Sequence, residues 1–337
     1  MAVVARRPVK SKDEPKGIVD LVTRLEVGLV RSQPPEYEPT VVLRTSLATR
    51  LKRVGVPAVF IGPVMVYVLV FFAYPLIFGV LMSFEKYGFT ALVKGSGPFV
   101  GFGNYRAIFN DPVTIAALRN TLVFTVASVF FQVIIGLAFA VLLSQRFFLA
   151  NFLRRFVLVP WLMPAIATGT IFSILFGAPN SLVNAIIGHV GLSPVQWLVG
   201  FRSAMTALIL VNIWAGLPFN TIIFYSGLQD IDPVLHEAAK TDGANAWQRF
   251  RLITLPSLKP VTAIVIMIGV IATVKVFDIA FVMTGGGPNN ATQLLSTWAY
   301  TQAFSNFDFG RGAAVGNVLL VMSMIAAAFY VRTLRRE

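Results

Sequence analysis

The feature that most constrains this chain is a set of long runs without a single Asp, Glu, Lys or Arg. Val54–Phe84 is 31 residues of such sequence, Asn120–Gln145 is 26, Phe156–Phe201 is 46 and Ser203–Gln229 is 27. A bilayer core of roughly 30 Å takes about 20 apolar residues of helix. Each run is long enough to cross it. Pro260–Thr284 is apolar apart from Lys275 and Asp278, and Gly312–Val331 is apolar with one Asn. Only 13% of the residues are charged, against about a quarter in a soluble domain. A water-soluble enzyme and a disordered chain are both excluded.

The 46-residue run is too long for one helix. Its second half carries Pro179, Asn180, Asn184, Gly188, His189, Gly191, Ser193 and Pro194, which are loop and short-helix residues. The span therefore ends near Gly177, and six spans result. A seventh at 181–201 would carry Arg332, Arg335 and Arg336 to the outside, against the charge bias described below. Backbone in lipid must bond internally, so each span is helical. Pro63, Pro75, Pro160, Pro164 and Pro218 fall inside spans, where neighbouring groups satisfy the freed carbonyls.

Lysine and arginine set the orientation. The arm up to Arg53 holds 11, Arg146–Arg155 holds 3, residues 230–259 hold 4 and the C-terminal tail holds 3. The opposite side has six: Lys86, Lys94, Arg106, Arg119, Arg202 and Arg311. Both termini are expected in the cytoplasm. This also explains the net charge of +13: basic residues scattered among loops beside anionic lipid, with no soluble basic domain for nucleic acid. The reading is an all-α polytopic membrane protein. Residues 1–53 are a basic arm, 54–333 a six-helix domain with a cytoplasmic loop at 230–259, and 334–337 a tail. The first run is no cleaved signal, because about 50 residues precede it and it is twice a normal h-region. In the arm, Ile18, Leu21, Val22, Leu25 and Leu29 recur at helical spacing. They suit an interfacial helix or one packed on a partner. The chain has no cysteine and two histidines 47 positions apart, which excludes disulfide and thiol chemistry and disfavours a zinc site.

Residues 228–260, LQDIDPVLHEAAKTDGANAWQRFRLITLPSLKP, are the most informative stretch. Asp232-Pro233 is an N-cap with proline at N1, Glu237-Ala238-Ala239 favours helix, and Gly243 stops it. A second short helix, 245–253, ends at Leu255-Pro256. The result is a helix–glycine turn–helix on the cytoplasmic side. Small Ala238 and Ala239 let another backbone approach, and Phe250, Ile253 and Leu255 offer an apolar face. By itself the pattern also suits an amphipathic connection lying on the membrane.

This stretch resembles the EAA loop of ABC importer permeases, EAAxxDGAxxxxxFxxIxLPxxxP. It matches at Glu237, Ala238, Ala239, Asp242, Gly243, Ala244, Phe250, Ile253, Leu255, Pro256 and Pro260. Trp214–Phe219 (WAGLPF), Val276–Asp278 with Thr284–Pro288 (TGGGP) and Gly101–Tyr105 (GFGNY) resemble segments of the carbohydrate branch, the MalF/UgpA-like permeases. Met283 stands where that branch has leucine. The resemblance runs from about residue 55 to 333.

The resemblance implies a MetI-like permease fold in a bacterial inner membrane. It implies a second permease subunit, a cytoplasmic ATPase dimer that grips the EAA loop, and an extracytoplasmic binding protein that delivers a sugar. It makes the chain no enzyme and gives it no cofactor of its own. ATP and magnesium would sit on the ATPase, and this chain has no GxxxxGK[ST] to cradle phosphates. Glu237 would pair with a basic group or cap a helix in that ATPase. Gly243 would supply a turn of positive φ.

Polar groups in spans mark a path or a structural bond. The candidates are Trp161, Asn212, Trp214, Gly216, Asn220, Thr273, Lys275, Asp278 and Asn317. Asn212 and Gly216, one turn apart, would let a sugar reach the backbone beside an amide. An interhelical hydrogen bond is the other reading for Asn212. Trp161 would be a sugar platform or a packing contact. Lys275 and Asp278, three apart, would share a helix face as an ion pair or a gate. An ion-coupled secondary transporter would need more intramembrane carboxylates than Asp278, and no internal repeat is seen. A permease for a non-sugar solute and a subunit with no path of its own remain open.

Overall fold

The computed structural model describes residues 61–334 apart from Arg146, Ala178 and Pro179. The N-terminal arm with its candidate helix, the start of the first apolar run and the tail 335–337 lie outside the described residues. Residues up to Met65 form one unit, of which Ile61–Met65 are described as helix. The second unit runs from Val66 onward and holds the rest of the chain.

The described elements are helical. α1 is Ile61–Met82, followed by short α2 (Phe89–Lys94) and α3 (Gly103–Asn110). Next come the 33-residue α4 (Pro112–Ser144), α5 (Ala150–Leu162), α6 (Ala165–Gly177) and α7 (Leu182–His189). After α8 (Phe201–Gln229) come α9 (Pro233–Thr241), α10 (Ala246–Ser257), α11 (Lys259–Val274), α12 (Asp278–Thr284), α13 (Leu295–Tyr300) and α14 (Phe309–Leu334). α1, α4, α8 and α14 each suffice to cross a bilayer. The third and fifth expected spans are broken: α5 meets α6 at 100°, and α10 meets α11 at 63°. Each bent pair counted as one span makes six. α7 has eight residues, too few to cross a bilayer.

The sequence reading of the third span as one kinked helix needs correction. Pro160 opens the last turn of α5, Met163 is extended, and Pro164 starts α6. Two prolines four apart, each lacking an N–H and restricting the residue before it, end one helix and begin another. Pro75 and Pro256 are accommodated differently. Each stands just after a π turn, Leu69–Ala73 and Phe250–Thr254, whose closing bonds run from Tyr74 to Leu69 and from Leu255 to Phe250. The widened turn moves the carbonyl four residues back away from the proline ring. α10 thus continues through Leu255-Pro256 to Ser257, where the sequence suggested a stop.

The core lies along the seam of α4 and α8. At the end of the seam next to α12, Phe124, Phe176, Leu208, Val211, Ile279 and Met283 are buried together, joining α4, α6, α8 and α12. At the other end Ala140, Phe224, Leu258 and Val265 do the same for α4, α8 and α11. α1 contrasts with this: no side chain of its apolar window is buried. Phe71, Phe72 and Tyr74 are among its exposed rings, as suits a helix made to face lipid. The chain after α1 is tied back by Asn104 of the GFGNY segment, whose amide donates to the carbonyls of Ser83 (2.9 Å) and Glu85 (2.8 Å).

Candidate functional site

The loop between α8 and α11 is built from local sequence. Asp232 Oδ1 accepts from the Val234 N–H at 2.9 Å, with Pro233 at N1. α9 closes at Gly243, whose φ is +81°. That value suits a residue without a Cβ, and open space surrounds the position where a Cβ would stand. Asn245 and Gln248 then cap α10 reciprocally, at 2.8 and 2.9 Å. α9 has no buried residue. Val234 is 63% exposed and Leu235 50%. Glu237, Ala238, Asp242, Gly243, Leu255 and Pro256 are exposed, while Ala239, Ala244, Phe250 and Ile253 are half-buried. Trp247, also exposed, stacks on Phe250 at 5.6 Å. A nine-residue helix is shorter than the roughly 12–15 residues at which isolated helices become even marginal in water. No side chain of α9 enters the chain's own core.

The substrate-path candidates are placed less evenly. Trp161 lies at the end of α5, just before the α5–α6 bend, and is 62% exposed. Trp214 packs edge-on to Phe172 at 5.0 Å. Asn220 donates to Gly216 O in its own helix at 2.9 Å. Asn317 donates to the Tyr105 hydroxyl at 3.0 Å, a tie within the fold. Asn212 is buried, and its Nδ2 has no hydrogen-bond partner among the described residues. Its backbone carbonyl accepts from Gln132 Nε2 at 2.7 Å. The notch beside Gly216, expected to admit a ligand, is filled by Gln132: a Cβ on Gly216 would stand 2.5 Å from Nε2. A Cβ on Gly136 would likewise stand 2.8 Å from the Cβ of Asn220. Small residues here let α4 and α8 touch.

None of the sequence candidates lies on α4, yet that helix carries a buried polar stripe. Thr114, Thr121, Thr125, Ser128 and Gln132 are all buried. Trp298 Nε1 bonds Thr114 Oγ1 at 2.8 Å, and the Leu295 N–H bonds Thr121 Oγ1 at 2.9 Å. Thr125 Oγ1 and Ser128 Oγ have no hydrogen-bond partner among the described residues. The signal is present in the sequence, since steps of seven, four, three and four residues keep one helical face.

Lys275 and Asp278 do not share a helix face. α11 ends at Val274 and α12 begins at Asp278, so the pair flanks a break. Both are exposed, and the one ion pair among the described residues is Arg311–Asp308. Thr273, one residue before the end of α11, is buried. The TGGGP segment forms a tight loop with φ +57° at Gly285 and +91° at Gly286. Asn120 of α4 clamps the residues after this loop through the carbonyls of Asn290, Ala291 and Gln293 at 3.1–3.3 Å. Among the described residues no group of three His, Asp or Glu could hold a metal.

Known proteins share this sequence and this fold. The chain is 36% identical over 242 residues to the trehalose/maltose transport system permease protein MalF of Thermococcus litoralis, covering 71% of this chain and 82% of that one. It is 34% identical over 274 residues to the arabinooligosaccharides transport system permease protein AraP of Bacillus subtilis, covering 80% and 86%. A chain of the bacterial alginate ABC transporter, crystallised with an alginate pentasaccharide-bound periplasmic protein, has the same fold. Its TM-score is 0.74 at 23% identity, over 86% of this chain and 97% of that one. Residues 132–336, which include the last part of α4, all of α8, the helical loop and the TGGGP turn, match the family described as binding-protein-dependent transport system inner membrane component. The chain thus belongs to that family, the permease subunits of ABC importers.

Proposed function

We propose that this permease carries a sugar or oligosaccharide inward, as one half of a translocation path completed by a second permease. An extracytoplasmic binding protein delivers the substrate, and an ATPase dimer, which holds ATP and magnesium, grips α9 and α10. The termini lie in the cytoplasm, where the basic loops are, and the membrane is a bacterial inner membrane. The observation that carries the coupling reading is α9 itself: nine residues with no buried side chain, apolar residues in the open and a glycine turn behind them. Such an element gains its order from a partner. The sugar reading is supported by relatives named for trehalose/maltose and arabinooligosaccharides.

In this reading Glu237 meets a basic group or a helix N-terminus of the ATPase. Ala238, Ala239 and Ala244 let the backbones close. Phe250, Ile253 and Leu255 transmit the movement into α11, which α10 meets at 63°. Asn212, Trp214, Gly216, Thr273 and Asp278 belong to the path, with Trp161 at its margin and Gln132 closing the notch at Gly216 in the present state. The test is purification of the tagged chain from native membranes with an ATPase assay. A second permease and an ATPase co-purify, and exchange of Glu237 and Gly243 loses the ATPase alone. A chain that purifies by itself from membranes with active sugar uptake contradicts the reading.

A further inference from the structure

The corner between α4 and α5 holds two arginines that no acid answers. Arg154 of α5 donates to the Leu143 carbonyl at the end of α4, from Nη2 at 2.7 Å and from Nε at 3.2 Å. Its guanidinium also lies 5.2 Å over the ring of Tyr225, near the end of α8. These contacts fix α5 at the coupling-loop end of both helices, where the apolar run Asn120–Gln145 stops. α6 runs alongside α8, with Phe172 against Trp214 and Phe176 among Leu208 and Val211. α5 meets α6 at 100°. With the usual tilt of about 20° for a crossing helix, α5 runs close to the plane of the bilayer, at its boundary.

The open side of α5 has an apolar face and a basic edge. Phe148, just before the helix, and then Phe152, Phe156 and Val159 follow one another at steps of four, four and three residues, which keeps them on one face. The three rings are 99%, 62% and 60% exposed. Ala150 and Val157, on the opposite face, are buried. From 148 to 162 no exposed residue is Gly, Ala or Ser, the residues through which membrane helices close on one another. Asn151 stands one turn from both Arg154 and Arg155. A cavity of about 480 Å³ opens against Gln145, Phe148, Asn151 and Arg154. Arg155 is exposed and makes no hydrogen bond or ion pair with another described residue. No Asp or Glu occurs between Asp111 and Asp230, and among the described residues no acid pairs with either arginine. Rings flanked by arginine at a bilayer boundary are the composition of a helix that lies in the lipid interface.

We propose that this corner is a binding site for an anionic phospholipid of the leaflet at the coupling-loop end. The lipid phosphate sits at the Asn151 edge, where the two guanidinium groups and the amide donate to its oxygens. Phe148, Phe152 and Phe156 lie among the acyl chains. Arg154, bonded to Leu143, joins the lipid to the end of α4.

The test uses the protein as purified from native membranes, in phosphatidylcholine vesicles that hold a trace of a photoactivatable lipid. Mass spectrometry reads the labelling of residues 147–162. A phosphatidylglycerol probe labels them several times more than a phosphatidylcholine probe. Arg155→Gln lowers the phosphatidylglycerol labelling about fivefold, the ratio that ~1 kcal/mol per basic residue at an anionic surface gives, and Arg155→Lys keeps most of it. Arg154→Gln lowers it too, but Arg154 also holds α4, so the exposed Arg155 decides. Equal labelling by the two probes overturns the proposal, as does labelling of Arg155→Gln at the wild-type level. A benzoylphenylalanine at position 152 forms adducts with lipid. A crosslink from there to another protein chain makes the face a subunit interface and overturns the proposal as well. The readout needs neither sugar nor ATP, so its failure leaves the transport reading standing.

Discussion

The loop α9–α10 and the seam of α4 with α8 are both rich in small and polar residues, and they use them in opposite ways. In the loop, Glu237, Ala238 and Gly243 are exposed and no residue of α9 is fully buried. In the seam, Gly136, Gly216, Gln132 and Asn212 are wedged between two helices, with contacts that a single Cβ would disturb. The difference separates two meanings of a small residue. In the loop it leaves room for a molecule yet to arrive. In the seam it is already occupied. Substitutions in the seam should therefore register as stability, and substitutions in the loop as transport.

The largest effect is expected for Gly136→Leu, which drives a side chain into Asn220 and the α8 backbone. Overpacking of this kind destabilises by about 3 kcal/mol, and little folded protein should be recovered in detergent chromatography. Recovery at the wild-type level would mean that the helices separate more freely than the seam implies. Gly216→Ala comes next, at about 2 kcal/mol, because Gln132 must leave its place; a thermal melt of the purified complex reads it. Pairing it with Gln132→Ala should return most of the loss. Additive losses would show that Gln132 is not what fills the notch.

Gly243→Asp sharpens the comparison from the other side. A side chain at φ +81° is strained by about 1–2 kcal/mol, confined to a loop that the core does not hold. The melting temperature should stay put while sugar uptake falls by at least about tenfold, the scale of 1.4 kcal/mol at one coupling contact. Gly243→Asn, which tolerates the left-handed region better, should retain more uptake than Gly243→Asp. Normal uptake with Asp would remove the loop from the coupling path. The smallest effect is Gln132→Leu, since the one hydrogen bond lost between membrane helices is worth about 0.6 kcal/mol on average. A large fall in uptake with so small a change in stability would give the seam a part in transport beyond holding two helices together.

Legibility divides along the same line. The loop can be read residue by residue because its determinants are local. Asp232-Pro233 caps a helix wherever it stands, and Gly243 turns a chain without reference to distant residues. The apolar runs are legible for a similar reason, since the bilayer imposes length and composition directly. The α4 stripe escapes such reading because Thr121, Ser128 and Gln132 are scattered through apolar sequence and acquire meaning only from the helix that meets them. Lys275 and Asp278 mislead together. Three residues apart suggests one face, but the chain leaves the helix at Val274, and no strong breaker marks the spot.

The sequence by itself determined that the chain is helical and apolar enough to cross a membrane, and that one loop folds as two short helices about a glycine. Tertiary structure alone decided that Pro160 and Pro164 break a span into two helices where Pro218 leaves α8 continuous. It also decided that Gln132 closes the notch at Gly216 and that the charges at 275 and 278 stand apart. The physical reason is the range of the forces. Hydration of a charge and the twist of a glycine act within a few residues. Whether a buried amide finds a carbonyl depends on which of several apolar helices packs beside it, and apolar surfaces carry little information about their neighbours.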